Sequence, residues 1–283
     1  MDTRGGKTAM VAIGTHAVRN GVVIKATEAV LPIQSKEVQF GFGVYESLKV
    51  IQGQVLYLKD HLQRLYGSAD GLGLRHPYAS HMISQWITAL LAVDGVREAT
   101  LRILLMGGSE PVLYITAMPM LSYPDTWYRQ GVSVTTYNGE RFLPHIKSCS
   151  LLLNYLALRA AQEAGAFEAL LVDREGRVLE GTRSNFFACR GDVVHTAPDD
   201  LVLEGVTRDK ILKAIRQLGF RISFDSPTLA EVSSGYYDEL FISSTSMGAL
   251  PVAAVDGKAC GSVFSHSQAI HSLIGQWELE ALH

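Results

Sequence analysis

Cysteine is scarce in this chain: Cys149, Cys189 and Cys260 are the only three in 283 residues. Their odd number and the lack of CxxC spacing exclude a disulfide framework, and they read as reduced thiols of a cytoplasmic protein. No apolar run reaches the roughly 18 residues that span a bilayer. Residues 1–8 are polar and lack a signal-peptide core, so a soluble chain is expected. Blocks of one charge sign are missing too. The net charge is −3 without a Lys/Arg cluster, so neither nucleic acid nor an anionic membrane surface is an expected partner. No GxGxxG follows a strand pattern, which argues against a dinucleotide site. The nine histidines show no HExxH spacing and GxSxG does not occur, so no metal and no serine nucleophile is expected. Internal repeats and low-complexity stretches are also absent.

What is present is an ordinary core-forming composition, 47 % hydrophobic and 19 % charged, long enough for one large domain or two ordinary ones. Strand patterns occupy 10–13, 21–24 and 43–55. Leu58, Leu62, Leu65, Tyr66 and Ala69 then share one helical face, closed by Gly71 and Gly73. A second helix is expected at 81–93 and strands at 100–106 and 112–117. Pro119 and Tyr123-Pro124-Asp125 break the pattern at 118–131. Beyond it, strands at 132–136, 169–173, 177–179, 185–189, 193–196, 239–243 and 252–255 alternate with helices at 151–164, 207–218 and 265–282. Thr228 and Glu231 form a capping box for a short helix. The mixture predicts a mixed α/β (α+β) protein: a domain at 1–119, a linker at 120–131 and a second domain at 132–283.

Lys147 is followed after 180 − 147 = 33 residues by Glu180, with one amphipathic helix and one short strand between, and each is expected at the end of a strand-like element. A lysine amine that forms a Schiff base and a carboxylate that holds a proton on a pyridine nitrogen are what pyridoxal phosphate chemistry asks of a protein. Such chemistry also needs a phosphate site. Gly205-Val206-Thr207, with Thr207 as a helix cap, offers backbone N–H groups, though it also reads as an ordinary capped helix. Ser243-Ser244-Thr245-Ser246 follows an apolar strand and reads either as a ligand loop or as a plain turn. Arg64, beside an apolar stripe, points inward toward an anion or outward to solvent.

These residues lie in an ordered series of motifs: Phe40-Gly41-Phe42-Gly43-Val44-Tyr45-Glu46, His61-Leu62-Gln63-Arg64-Leu65, Ile146-Lys147-Ser148, Glu168-Ala169-Leu170-Leu171-Val172-Asp173, Glu180-Gly181-Thr182-Arg183-Ser184-Asn185, Gly205-Val206-Thr207-Arg208 and Asp238-Glu239-Leu240-Phe241-Ile242-Ser243-Ser244-Thr245. From about residue 39 to 257 the chain resembles the class IV aminotransferases, the pyridoxal phosphate enzymes of fold type IV. That group includes D-amino acid transaminases, branched-chain aminotransferases, (R)-selective amine transaminases and aminodeoxychorismate lyase. The resemblance implies pyridoxal 5′-phosphate in a cleft between a smaller N-terminal and a larger C-terminal domain, and a homodimer. It implies Lys147 as the Schiff-base lysine and proton shuttle, and Glu180 as the partner of the pyridine nitrogen. Arg64, Val206, Thr207, Ser244 and Thr245 become the phosphate cradle, and Tyr45, Arg102 and Ser246 contacts to substrate. The implied activity is amino-group transfer between an amino acid, D-type or branched-chain, and a 2-oxo acid by a ping-pong aldimine/ketimine route. A lyase and an (R)-amine transaminase are the alternatives within the family, and a non-catalytic small-molecule binder the alternative outside it.

Three departures bear on substrate. Phe42 stands where the family usually has Asp. Gly107-Gly108-Ser109-Glu110-Pro111 lacks the Arg and His of the D-type enzymes, although Tyr45, with Glu46 and Lys49 nearby, matches them. Leu101-Arg102-Ile103-Leu104 resembles the branched-chain arrangement. Arg141 and His145 are two further cations available for a substrate carboxylate.

Overall fold

The structure, a computed structural model, describes residues 13–282. The polar 1–8 stretch and, apart from Ile13, the strand expected at 10–13 lie outside the described residues. The chain divides into two compact units. The first ends at Leu121 and also takes Ser148–Ser150; the second comprises Ser122–Lys147 and the chain from Leu151 onward.

In the first unit, β1 (His16–Arg19) and β2 (Val22–Lys25) form a hairpin, followed by the short α1 (Lys36–Gln39). Next come β3 (Gly43–Ile51), β4 (Gln54–Val55), helices α2 (Leu58–Gly71) and α3 (Ser80–Val93), then β5 (Ala99–Met106) and β6 (Val112–Met118). The strands pair antiparallel in the order β2-β1-β6-β5-β3-β4. Alternation along β3 sets its faces. Val44, Glu46, Leu48 and Val50 are buried, whereas Tyr45, Ser47 and Lys49 are half-buried on the other face. Phe42 is accommodated by packing: its ring lies over Gly107, where a Cβ would stand 2.4 Å from it.

The second unit opens with α4 (Asp125–Gln130) and β7 (Val132–Asn138). The stretch 120–131 is therefore not the irregular connection that Pro119 and Pro124 suggested. Pro124, with φ −59°, sits at the N-cap of α4, where a fixed φ is no obstacle. Tyr123, Trp127 and Tyr128 pack against the core of this unit. After α5 (Leu152–Glu163) the chain forms β8 (Glu168–Val172), β9 (Val178–Gly181), β10 (Asn185–Arg190) and β11 (Val193–His195). Helix α6 (Val206–Gln217), β12 (Arg221–Ser223), α7 (Leu229–Ser234), β13 (Glu239–Ser244), β14 (Gly248–Val255), β15 (Lys258–Ala259) and α8 (Ser265–Glu280) complete it. Thr228 and Glu231 make the expected capping box at α7.

The strand path β10-β13-β14-β7-β8-β9 returns to β10 through the pair Asn185–Glu180, so this sheet closes on itself. Alternate residues separate its two sides. Phe186, Ala188, Leu240, Ile242, Leu250 and Val252 fill the inside with Val134 and Leu170. Phe187, Cys189 and Phe241 face outward beneath α6 and α8. Ala169 and Leu171 face outward against α5. The mixed α/β class expected from sequence is what the chain adopts.

Candidate active site

Glu180 sits where the sheet of the second unit closes. Its register partners are Leu171 on β8 and Asn185 on β10, and Asn185 in turn is opposite Ser243 on β13. Directly opposed residues share a face, so Glu180, Asn185 and Ser243 form a polar row on the outer side. This row pins the chain that enters α6. Leu203 N–H donates to Glu180 Oε2 at 3.2 Å, and Asn185 Nδ2 donates to the Leu203 carbonyl at 2.8 Å. Two residues later Gly205 is the N-cap of α6, with no side chain capping the helix. A Cβ on Gly205 would stand 2.4 Å from Asn185 Oδ1 and 3.1 Å from Arg208 Cβ. Space, not backbone conformation, thus selects glycine here, and it places Val206 and Thr207 in the first turn. Thr207, expected to be the cap, is instead the second residue of the helix, two positions past the cap. The first-turn N–H groups form a ready anion site.

At the neighbouring strand end, Ser244 closes β13 and Thr245–Met247 make the turn into β14. Ser244 Oγ lies 3.2 Å from Ser246 Oγ, which is 3.1 Å from the Tyr123 hydroxyl. Ser243 Oγ, buried beneath α6, has no hydrogen-bond partner among the described residues. Ser246 is thereby committed to a hydroxyl network that sequence did not suggest, since Tyr123 is 123 residues away.

Glu180 is buried, and Arg141 Nη1 meets its Oε1 at 3.3 Å. Burial pushes the carboxyl up, against the opposing pull of Arg141, the Leu203 N–H and the charge of Lys147, and the net direction is upward. Arg141 is therefore engaged by Glu180 and the Ile146 carbonyl rather than standing as an uncommitted cation, while His145 is exposed. Lys147 is half-buried in an irregular segment after β7. It is not at a strand end; only the isolated bridge between Ser148 and Val44 follows it.

In the first unit the apolar phase of β3 carries one carboxylate, Glu46, with no exposed surface. His61 and Arg64, three residues apart on α2 and so on one helical face, both turn to it. Arg64 Nε donates to Oε1 at 2.7 Å and Arg64 Nη2 to Oε2 at 2.8 Å, while His61 Nδ1 meets Oε2 at 2.8 Å. Burial alone would raise the Glu46 carboxyl; the Arg64 charge and the bonds from Arg64 and His61 outweigh it and bring it down to about 2. On the opposite face of the sheet, Arg102 lies 3.7 Å above the Tyr45 ring and donates to Ser47 Oγ at 3.1 Å. Register explains the meeting, since Ser47 is opposite Arg102 and Tyr45 opposite Leu104. The structure brings Tyr45 and Arg102 together in one unit. In the other it gathers Glu180, Val206, Thr207, Ser244, Thr245 and Ser246 around adjoining strand ends. Sequence reasoning passed over Asn185, Leu203 and the Glu46–His61 pair. The one available signal was a glutamate in the apolar phase of a strand.

Comparison with known proteins gives the family. The family model for amino-transferase class IV matches residues 43–255. A D-alanine aminotransferase of Bacillus licheniformis is 32 % identical over 255 residues, covering 86 % of this chain and 89 % of the relative. Among solved structures, a T.th. branched-chain amino acid aminotransferase with pyridoxamine 5′-phosphate superposes with a TM-score of 0.88 at 23 % identity over 96 % of both chains. A branched-chain aminotransferase from Thermoproteus uzoniensis with norvaline gives 0.86 at 24 % identity, covering 95 % of this chain and 96 % of the other. Those two likenesses carry the fold, and the family model and the bacterial relative carry the kinship. The protein is an enzyme, and it belongs to the class IV aminotransferase family.

Proposed function

We propose that the protein is a pyridoxal 5′-phosphate-dependent transaminase that moves an amino group between an amino acid, D-type or branched-chain, and a 2-oxo acid in two half-reactions. The observation that carries this reading is Glu180: a buried carboxylate, under the charge of Lys147 and braced by Arg141, that also fixes the approach to an uncapped helix N-terminus. The residues fit the cofactor. The hydroxyl of Ser243 is buried and unpartnered among the described residues, and at Gly205 a side chain would fill the space that the entry to the helix needs.

Val206 and Thr207 N–H groups, Ser244, Thr245 and Arg64 are assigned to the phosphate, by charge-assisted hydrogen bonds. Glu180 is assigned to the pyridine nitrogen. When bound, the cofactor supplies an electron-accepting ring for the substrate Cα. Lys147 Nζ anchors the cofactor and carries the proton from the substrate Cα. Arg102, stacked on Tyr45, is assigned to the substrate carboxylate, with Ser246 as a further contact. A cation and a phenol set together suit an amino acid better than a simple amine. Homodimeric assembly and a cytoplasmic location belong to the same reading; they rest on the family resemblance and on the reduced-thiol cysteine usage.

Two outcomes test it. The Gly205→Ala variant should bind the cofactor at least about tenfold more weakly, the loss of one or two charge-assisted bonds, as read by fluorescence titration. The purified holoprotein should be yellow, absorbing near about 400–420 nm as the bound cofactor does, and bleach with D-alanine or D-glutamate, or with L-leucine. Bleaching by L-leucine alone fixes the branched-chain branch. No band, bleaching by (R)-1-phenylethylamine alone, or 4-aminobenzoate released from aminodeoxychorismate without transamination sinks the proposal.

A further inference from the structure

We infer that Glu46 is a positioning residue of the phosphate site, acting through Arg64 from within the core of the first unit; this rests on the assignment of Arg64 to phosphate. Glu46 has no exposed surface and stands in the phase of β3 that otherwise carries Val44, Leu48 and Val50. An apolar residue there would pack as well and avoid burying a charge, since replacing a buried ion pair by hydrophobic residues is often neutral or stabilising. What a carboxylate supplies instead is geometry. It grips Arg64 through Nε and one terminal nitrogen, at 2.7 and 2.8 Å. That is the two-pronged arrangement that fixes the plane of a guanidinium.

At least two of the five guanidinium N–H groups are thus spent on orientation, and the plane of the guanidinium is set before any anion arrives. His61 Nδ1 holds Oε2 from the same helix at 2.8 Å, so Glu46 is itself kept from swinging. The pair is close to neutral as a whole, so its value to a phosphate lies in oriented donors rather than in added charge. Donors oriented in advance spare the ligand the cost of ordering a long, rotamer-rich side chain.

The experiment compares pyridoxal 5′-phosphate with pyridoxal, which lacks the phosphate. Full-length parent, E46Q, R64A and the double variant are freed of cofactor and titrated with each by fluorescence quenching. Glutamine presents an NH₂ to a guanidinium that needs two acceptors. Arg64 should let go, and E46Q should lose about tenfold or more in pyridoxal 5′-phosphate affinity while pyridoxal affinity holds within about threefold. Adding E46Q to R64A should then cost nothing further. If R64A spoils phosphate discrimination and E46Q does not, Glu46 has no such role and the phosphate assignment stands. If R64A itself leaves the discrimination intact, that assignment falls and the inference with it. Equal weakening of both ligands by E46Q means general damage and also overturns it. Should E46Q not reach the parent far-ultraviolet spectrum, E46D, one methylene too short to grip both nitrogens, is read in the same way.

Discussion

Replacing Lys147 by alanine should lower transamination more than about 10⁴-fold, or roughly 5 kcal/mol of activation free energy. The proposed function gives the residue two tasks that no neighbour is placed to take over: anchoring the cofactor through its amine, and carrying the proton from the substrate Cα. Its surroundings are built around it: Arg141, nearby in sequence, is spent on Glu180 and on the Ile146 carbonyl, and His145 faces solvent. Neither is placed to substitute. Lys147 is half-buried in an irregular segment, so the truncation is expected to keep the fold and to fall on cofactor anchoring and proton transfer. Three measurements check this. Steady-state turnover should vanish while the melting temperature stays within a few degrees of the parent. A small exogenous amine such as methylamine should restore part of the proton transfer to K147A. Borohydride reduction and digestion of the parent should leave the pyridoxyl group on the peptide that contains Lys147, and finding it elsewhere ends the assignment.

How much of this was readable from the chain depends on whether a feature is local. The alternation in β3 and the face Leu58, Leu62, Leu65 of α2 are periodic over a few residues, and the elements stand where the periodicity put them. The capping box at Thr228 is likewise a four-residue property. The irregular placement of Lys147 was not legible, because 139–150 has no period of its own. Nor was the cap of α6. Thr207 is the better cap by side chain, but the clash awaiting any Cβ at position 205 belongs to Asn185, twenty residues earlier, and it decides the start of the helix. The Arg141–Glu180 pair spans 39 residues and exists because β9 closes the sheet onto β10. A carboxylate in the apolar phase at Glu46 was legible as a residue in need of partners. The helix that supplies them, with His61 and Arg64 on one face, could be seen as a pattern but not as an answer to it.

The substitution Glu180→Gln is expected to cut turnover by about 10²- to 10³-fold, or roughly 3–4 kcal/mol, with the fold retained. Gln keeps the shape of the side chain and can still accept from Leu203 N–H, which holds the entry to α6 at 3.2 Å in the parent. It lacks the charge that the proposed function assigns to keeping a proton on the pyridine nitrogen, and with it the electron demand of the ring. A structural cause would weaken cofactor binding in parallel with turnover, whereas a loss of charge lowers turnover far more than affinity. The pH dependence of the cofactor-free protein separates the two further. Burial raises the Glu180 carboxyl despite Arg141, Leu203 and Lys147. A group raised above its unfolded value, near about 4.3 for glutamate, stabilises the fold below that value and loses this contribution as pH climbs through its folded value. Gln does not titrate. The melting temperature of E180Q relative to the parent should therefore climb as pH is taken upward from about 4, whatever fixed offset Arg141 contributes after losing its partner. A difference that stays flat, or falls, would mean that the carboxylate is settled by Arg141 alone. Glu180 would then have no raised affinity for a proton to share with a ring nitrogen.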